Sequence, residues 1–215
     1  FTSTTSNGVT IKPNSNLKPE KNFNFEVGAN YQISPKVNFD LSIFQNELYD
    51  FIEPGVDLND GRIIFKNVTR ARIQGIELDN NYIFFNNSLK LNLSYSYLWA
   101  RDINKNKFLK YRPRHSALIE ANYKFNQYQF GAAFRYFSKV EEIDFELIDL
   151  GVIKDGDKRV AVYVIDLNAG YDFNFIDFPL KIYLNVKNLL NYNYVELIGN
   201  LEPPRNISLS LELNF

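Results

Sequence analysis

The 215 residues include no cysteine and no methionine, one histidine and one tryptophan. Without cysteine there is no disulfide framework and no thiolate metal site. With His115 as the sole imidazole, the ligands of a conventional zinc enzyme are missing, and no metal or cofactor is expected. A serine-type hydrolase would need a nucleophile and a positioned acid around that histidine; His115 is read instead as a residue near the outer rim of a strand. Neither sign of charge is in excess, since 24 Lys and Arg face 25 Asp and Glu, so nothing points to nucleic acid. No run of 18 apolar residues exists, which excludes a transmembrane helix. It does not exclude a membrane, because the strands of a membrane barrel are only half apolar. A mean hydropathy of −0.29 fits either a soluble protein or a barrel. A chain that starts at Phe1 and holds no methionine is expected to be a piece of a longer protein, so the lack of a visible signal peptide carries no weight.

What the chain has is aromatic alternation. Its 14 Tyr and 19 Phe suit strands and membrane interfaces. From Pro204 to Phe215, Ile207, Leu209, Leu211, Leu213 and Phe215 share one parity, and Ser208, Ser210, Glu212 and Asn214 the other. Successive side chains of a strand point to opposite faces, so this segment has an apolar and a polar face. The same pattern recurs, and nine strands are predicted over about 20–32, 36–52, 62–85, 88–101, 113–125, 128–142, 160–175, 179–190 and 204–215. In the third, Ala71 and Ile73 share one parity while Ile76 and Leu78 take the other, which predicts a bulge near Gln74-Gly75.

Short turns fix the register of three hairpins. Around Asn126-Gln127, Phe125 is set against Tyr128, Ala121 against Ala132 and Ile119 against Phe134. Around Asn86-Asn87, where paired asparagines suit a tight primed turn, Phe84 meets Leu89 and Leu78 meets Tyr95. Around Ile176-Asp177, Tyr171 meets Ile182, Asp172 faces Lys181 and Asp166 faces Lys187, which are favourable cross-strand charges. The first hairpin turns near Ser34-Pro35. Long connections at about 53–61, 102–112, 143–159 and 191–203 alternate strictly with these short turns. Such asymmetry is expected of an outer-membrane β-barrel, with short periplasmic turns and long outer loops. Bacterial single-chain barrels have even strand numbers, so further strands are expected before Phe1. Tyr31, Tyr82, Phe84, Tyr123, Phe125, Tyr128, Phe173 and Phe215 would form the periplasmic aromatic girdle, and Tyr97 and Trp99 part of the outer one.

Four segments carry a resemblance to a known family. Asn16-Leu17-Lys18-Pro19-Glu20, leading into the first strand, resembles the N-x-L-K-P-E segment of TonB-dependent outer-membrane receptors. Asn67 to Glu77 is similar to that family's N-x-x-x-A-x-x-x-G-x-E stretch, and Tyr111 to His115 to its R-P-x-H stretch. Asn185 to Tyr194, with Pro204-Arg205 and a final Phe215, resembles its C-terminal ending; Leu189-Leu190 departs from the aromatic or Phe-Asp pair of many relatives. The resemblance implies an all-β, antiparallel transmembrane barrel of about 22 strands around an N-terminal plug. Residues 1–215 would be about its last nine strands, with the plug outside this chain. It implies TonB-energised import, across the outer membrane of a Gram-negative bacterium, of a ferric siderophore, haem, cobalamin or glycan. The implied partners are outer-membrane lipid, a small-molecule ligand, the TonB complex through the N-terminal part, and the barrel-assembly machinery. That machinery would read Leu209, Leu211, Leu213 and Phe215.

No catalytic residues are assigned, and the chain is not expected to be an enzyme. Asp57, Asp60, Arg62, Tyr111, Tyr192 and Tyr194 are candidate ligand-facing residues by position in the outer loops. The acidic stretch of Glu141, Glu142, Asp144, Glu146, Asp149, Asp155 and Asp157 is read as a solvated loop, with a divalent-cation site as the alternative. Charges predicted for the polar faces are Arg70, Arg72, Glu77, Lys90, Glu120, Arg135, Asp166, Asp172, Lys181 and Lys187, read as a lumen wall. Three rival readings are a passive substrate-specific porin, an outer-membrane hydrolase around His115, and a soluble β-sandwich. The sandwich suffers from strand length, since typical strands have about 5–6 residues.

Overall fold

Alternating sequences with turn residues between them have one low-energy arrangement, an antiparallel meander, and the computed structural model shows it. The structure describes residues 3–4, 10–57, 59–143, 145, 148, 159–173, 180–197 and 200–213. In chain order the strands are β1 (Ser3–Thr4), β2 (Thr10–Lys12), β3 (Lys21–Ser34), β4 (Val37–Val56), β5 (Ile63–Phe84), β6 (Leu89–Asp102) and β7 (Lys107–Phe108). They continue with β8 (His115–Phe125), β9 (Tyr128–Phe137), β10 (Val162–Asp172), β11 (Leu180–Lys187), β12 (Val195–Leu197), β13 (Asn200–Leu201) and β14 (Asn206–Leu213). The nine longer strands β3, β4, β5, β6, β8, β9, β10, β11 and β14 pair in that order, each antiparallel to the next. Among the described residues the sheet stays open, with β3 and β14 at its edges.

Register follows the sequence at the tight hairpins. Phe125 pairs with Tyr128, Ala121 with Ala132 and Ile119 with Phe134 across a two-residue turn, where Asn126 takes the left-handed conformation it tolerates well. Phe84 pairs with Leu89 and Leu78 with Tyr95. That connection spans Phe85 to Ser88, not a two-residue turn, and holds Phe85, Asn86 and Asn87 all at positive φ. The first turn lies at Pro35-Lys36, one residue later than predicted, with an irregularity between Gln32 and Ser34. The Ile176-Asp177 turn falls outside the described residues. Tyr171 nevertheless pairs with Ile182 and Asp172 with Lys181. The ammonium of Lys181 turns to Glu212 on β14, 3.6 Å away. The predicted Asp166–Lys187 pair is replaced: Asp166 takes Arg135, at 3.0 Å, and the backbone N–H of Asn188, at 2.7 Å. The β10–β11 register ends at Leu167–Val186, which frees Asp166 for those partners.

The bulge predicted at Gln74-Gly75 does not exist. β5 keeps one register with β4 and with β6 straight through this region. The slip in the sequence has another cause. Ile76, Leu78, Tyr82 and Phe84 share one face with Tyr97, Tyr95, Leu91 and Leu89 of β6. This apolar face runs on through Ala121 and Tyr123, Ala132 and Phe130, Leu167 and Ala169, and Leu184 and Val186, to Leu209 and Ile207. Beyond Gln74 the apolar side chains change faces. Ala71 and Ala100, both buried, pack with Leu48, Leu109 and Ile73 on the opposite face, where the loop carrying Leu109 folds back. Arg70 and Arg72, predicted on the polar face, therefore lie on the face that is apolar lower down.

That apolar face is uncovered. Phe25 is 64 % exposed, Phe130 48 % and Leu209 67 %. A soluble sandwich buries such a face under a second sheet; among the described residues none lies there. A contiguous surface of this size is tolerated only against lipid or another apolar partner. Along β5 the outward apolar run from Ile76 to Phe84, interrupted at Asn80, rises about 27 Å along the strand, and the usual tilt of a barrel strand reduces that to about 20 Å, most of the roughly 25 Å apolar band of an outer-membrane barrel. Rings line its short-turn end: Tyr82 stacks with Phe84, Tyr123 with Phe125 and Tyr128 with Phe130, and Tyr171 meets Phe173 edge-on. Phe215, assigned to this girdle, lies outside the described residues. No helix among the described residues is long and apolar enough to cross a membrane.

The opposite face is polar and cross-linked. Ser42 donates to Glu26 at 2.8 Å, Asn30 to Asp40 at 2.7 Å, and Asn92 to Glu120 at 3.4 Å. Glycines of this face admit large partners directly across the ladder: Gly75 faces Phe44, Gly131 faces Asn168 and Gly170 faces Tyr183. A register test follows from the β10–β11 pair. The N–H of Asp172 bonds to Gln127 and that of Phe173 to Leu180, so Asp172 and Lys181 form the close, non-hydrogen-bonded type of pair, with Cα atoms about 4.5 Å apart. Asp172→Cys combined with Lys181→Cys is expected to cross-link in the folded barrel. Cross-linking only when the second cysteine is moved by two residues would refute this register.

Candidate functional site

The long connections gather at one end of the sheet, where β4 and β5 project beyond the paired length of β6. Their tip is a compact turn. The N–H of Asp57 bonds to Arg62 at 2.9 Å and that of Gly61 to Asp57 at 2.8 Å, with Gly61 at positive φ. Side chains finish it. Asp60 accepts from the Arg62 guanidinium at 2.6 and 2.9 Å, and Asp57 accepts from the Asn59 amide at 3.0 Å. Lys12, on β2, bonds to Asp57 and stands 3.4 Å from Asp60. β2 reaches this place by pairing parallel to β5 at Ile63 and Ile64, which the sequence did not announce. Asp57, Asp60 and Arg62 are thus brought together as one charged knot, with Lys12 as an unforeseen fourth member.

The knot has an electrostatic signature. The Arg62 guanidinium holds the Asp60 carboxyl down to about 2, against an ordinary 3.8. The hydrogen bond from Lys12 also lowers Asp57, and Asp57 in turn raises Lys12. A depressed carboxyl favours the folded turn fully above its ordinary value, and the contribution fades as pH falls through the folded one. The Asp60 carboxyl carbon is therefore expected to titrate by NMR near pH 2 in the folded protein, and Arg62→Gln to return it towards 3.8. An Asp60 titrating near 3.8 in both proteins would contradict the knot.

The remaining candidates belong to neighbouring loops. Tyr111 sits at positive φ, and its N–H bonds to Glu142 at 2.9 Å. Beside it, Arg112 pairs with Glu53 at 2.8 Å and covers the Phe51 ring, tying the loop before β8 to β4. Tyr192 donates its hydroxyl to Ala161 at 3.1 Å, and Tyr194 is buried. Both follow Asn188, a residue that sequence reasoning passed over. Asn188 is buried and left-handed. Its side-chain amide donates to Tyr192 and Pro203 at 2.8 and 3.2 Å, and its side-chain oxygen accepts from the Tyr192 N–H at 2.8 Å. One side chain thus pins the loop between β11 and β14. The available signal was an asparagine ending a strand inside the Asn185–Tyr194 motif.

Of the acidic stretch, Glu141 stands 3.7 Å from Arg114, and Glu142 3.7 Å from Lys107. Asp144, Glu146, Asp149, Asp155 and Asp157 lie outside the described residues. Among the described residues no group of three or more His, Asp or Glu is placed to hold a metal ion. His115 hydrogen-bonds through Nδ1 to the Tyr95 hydroxyl at 2.7 Å and packs on the Tyr97 ring. Leu209, Leu211 and Leu213 lie on the apolar face of β14, paired with Leu184, Ile182 and Leu180.

Comparison with known proteins places this arrangement. Residues 1–189 match the family model for TonB dependent receptor-like β-barrels. Among solved structures, the copper transporter OprC superposes with a TM-score of 0.70 at 22% identity, over 94% of this chain and 32% of its own. The ferric-catecholate import receptor Fiu from K12 E. coli gives 0.68 at 20% identity, over 94% and 29%. The siderophore receptor PirA from Acinetobacter baumannii gives 0.68 at 20% identity, over 96% and 33%. The chain spans about a third of the length of these proteins. It belongs to the TonB-dependent receptor family, as part of the β-barrel by which these receptors reside in the Gram-negative outer membrane.

Proposed function

We propose that this chain is the C-terminal portion of a receptor that imports a scarce large nutrient with energy delivered by TonB. The family match over residues 1–189 carries this reading. In it, the plug and the TonB-contact segment belong to another part of the protein, residues 1–215 supply wall and outer loops, and the ligand is an iron complex, haem, cobalamin or a glycan. Iron is the first to test, because solved proteins of similar fold include the ferric-catecholate receptor Fiu and a pyoverdine receptor bound to pyoverdine. The charged knot of Asp57, Asp60 and Arg62, with Tyr111, would make first contact at the loop end. Tyr192 and Tyr194 would shape the neighbouring loop. Leu209, Leu211, Leu213 and Phe215 would serve as the signal read by the barrel-assembly machinery.

The test is uptake by whole cells. Radiolabelled ferric siderophores, haem, cobalamin and oligosaccharides are offered to strains with and without the gene, each with and without an intact TonB. Accumulation of one ligand only when both are present is the expected result. Uptake that needs the gene but not TonB would replace this reading with a passive porin.

A further inference from the structure

The faces assigned above leave a surface with an excess of cations on the outward side of the sheet. On the outward face, one step above the apolar band, stand Lys21, Arg70, Arg72 and Arg101, and Arg114, in the loop just before β8, reaches the Tyr97 and Phe108 rings there; the carboxylates paired with these cations are Glu47 and Glu141. Five cations thus face two carboxylates. Glu47, buried, is shared by Arg70, at 3.0 Å, and Arg72. Arg101 has no ion pair among the described residues. Its guanidinium lies between the rings of Trp99 and Phe108, 5.4 and 5.0 Å from their centroids. Arg114 covers the other side of the same column, 5.2 Å from Phe108 and 5.6 Å from Tyr97. The Nε atoms of Arg101 and Arg114 are both buried and lack a hydrogen-bond partner among the described residues. Arg101 also donates to the Asn106 carbonyl, and Arg114 to the Tyr97 hydroxyl at 2.8 Å beside its pair with Glu141; stacking and these bonds stiffen both guanidinium groups, and that of Arg101 is left without a carboxylate among the described residues.

Height decides what meets them. The outward apolar run ends at Ile76 and Tyr97, and Arg72 and Arg101 lie four residues further along their strands, past Gln74 and Trp99. That is the depth of lipid headgroups just outside the hydrocarbon. Directly below is an open depression of 790 Å³ whose lining includes Val27, Ile43, Ile76, Tyr97 and Trp99, with Gln45 and Gln74 among them, along which an acyl chain has room to lie. Guanidinium groups match phosphate oxygens in geometry and charge. We propose that this outward-facing arginine–aromatic column, with the depression beneath it, is a docking site for a phosphate-bearing lipid of the leaflet around the loop end. The headgroup phosphate bonds to Arg101 and Arg114, and an acyl chain lies in the depression. Free phosphate carries nothing for the depression, so the occupant is the lipid.

Native mass spectrometry of the intact receptor in detergent tests this. Diphosphoryl lipid A is the probe, with the same lipid stripped of phosphate, and inorganic phosphate, as comparisons. Arg101→Gln with Arg114→Gln is expected to weaken binding of the phosphorylated lipid by about tenfold or more, from the usual contribution of each cation near a membrane surface. Lys124→Gln, which removes a charge from the polar face near the short turns, should leave binding unchanged. Heat-dependent gel migration reports whether each variant is folded, and Arg101→Lys serves if the double variant is not: a lysine keeps the charge without the stacked fork, and should bind more weakly than wild type. Equal binding of phosphorylated and stripped lipid would overturn the site, as would an unchanged affinity in a folded double variant. Displacement of the lipid by millimolar inorganic phosphate would overturn the lipid as its occupant.

Discussion

Asn188→Ala is expected to lower the barrel's unfolding free energy by about 4 kcal/mol. The change removes the three hydrogen bonds of a buried side chain, whose partners lie on half-buried Tyr192 and exposed Pro203. Each hydrogen bond lost contributes about 0.5–1.5 kcal/mol, and a left-handed alanine adds about 1–2. These terms overlap, so the sum is taken below their total. Urea unfolding of the receptor in lipid vesicles measures it. Asn188→Gly separates the terms, since glycine keeps the left-handed backbone and loses only the amide. It should recover about 1 kcal/mol relative to alanine. A loss under about 1 kcal/mol in the alanine variant would mean that the loop between β11 and β14 is held by something else.

Gly75→Val is the second large effect, at about 3 kcal/mol. A Cβ at this position would lie 2.5 Å from Cζ of Phe44, 2.7 Å from its Cε1, and 2.8 Å from the carbonyl oxygen of Tyr97. The ring is a side chain and can swing away; the carbonyl belongs to the β5–β6 ladder and cannot move without breaking its register. Phe44→Ala added to Gly75→Val should therefore restore part of the loss but not all. The cycle is expected to show a coupling of about 1 kcal/mol between two residues in direct contact. Strict additivity would show that the ring does not occupy the space over Gly75.

How much of this was legible can be judged strand by strand. The hairpin around Asn126-Gln127 was readable to the residue pair, because a two-residue turn admits one register and alternation fixes the faces. Strand β5 was misread for an instructive reason. A phase slip in a water-soluble strand usually marks a bulge; here Ile76 faces lipid, Ile73 faces a packed loop, and the backbone between them is regular. The alternation rule assumes one apolar environment for the whole length. β5 passes from a membrane to a protein contact near Gln74. Arg70 and Arg72 were placed on the wrong face by the same assumption, and the outward arginine column stayed hidden behind it. Short strands such as β2 were invisible because three residues carry no period, and the parallel pairing of β2 with β5 depends on residues far apart in sequence. At the loop end, Asp57, Asp60 and Arg62 were found from position and charge. Lys12 was missed because only the fold brings it near. Asn188 was missed because nothing in composition separates a pinning asparagine from an ordinary turn residue.

The outward placement of the apolar face, and its end near Gln74 and Trp99, supports both the membrane assignment and the lipid site. A spin-label scan of β6 from Leu89 to Arg101 in native outer membranes tests it directly. Labels at 89, 91, 93, 95 and 97 should be relaxed by oxygen, which concentrates in lipid, and those at 90, 92, 94 and 96 by a water-soluble nickel chelate. At 99 and 101 the outward labels should pass from oxygen to the chelate. Chelate access at the odd positions throughout, or oxygen contrast continuing past 101, would contradict the face assignment and the membrane boundary drawn from it.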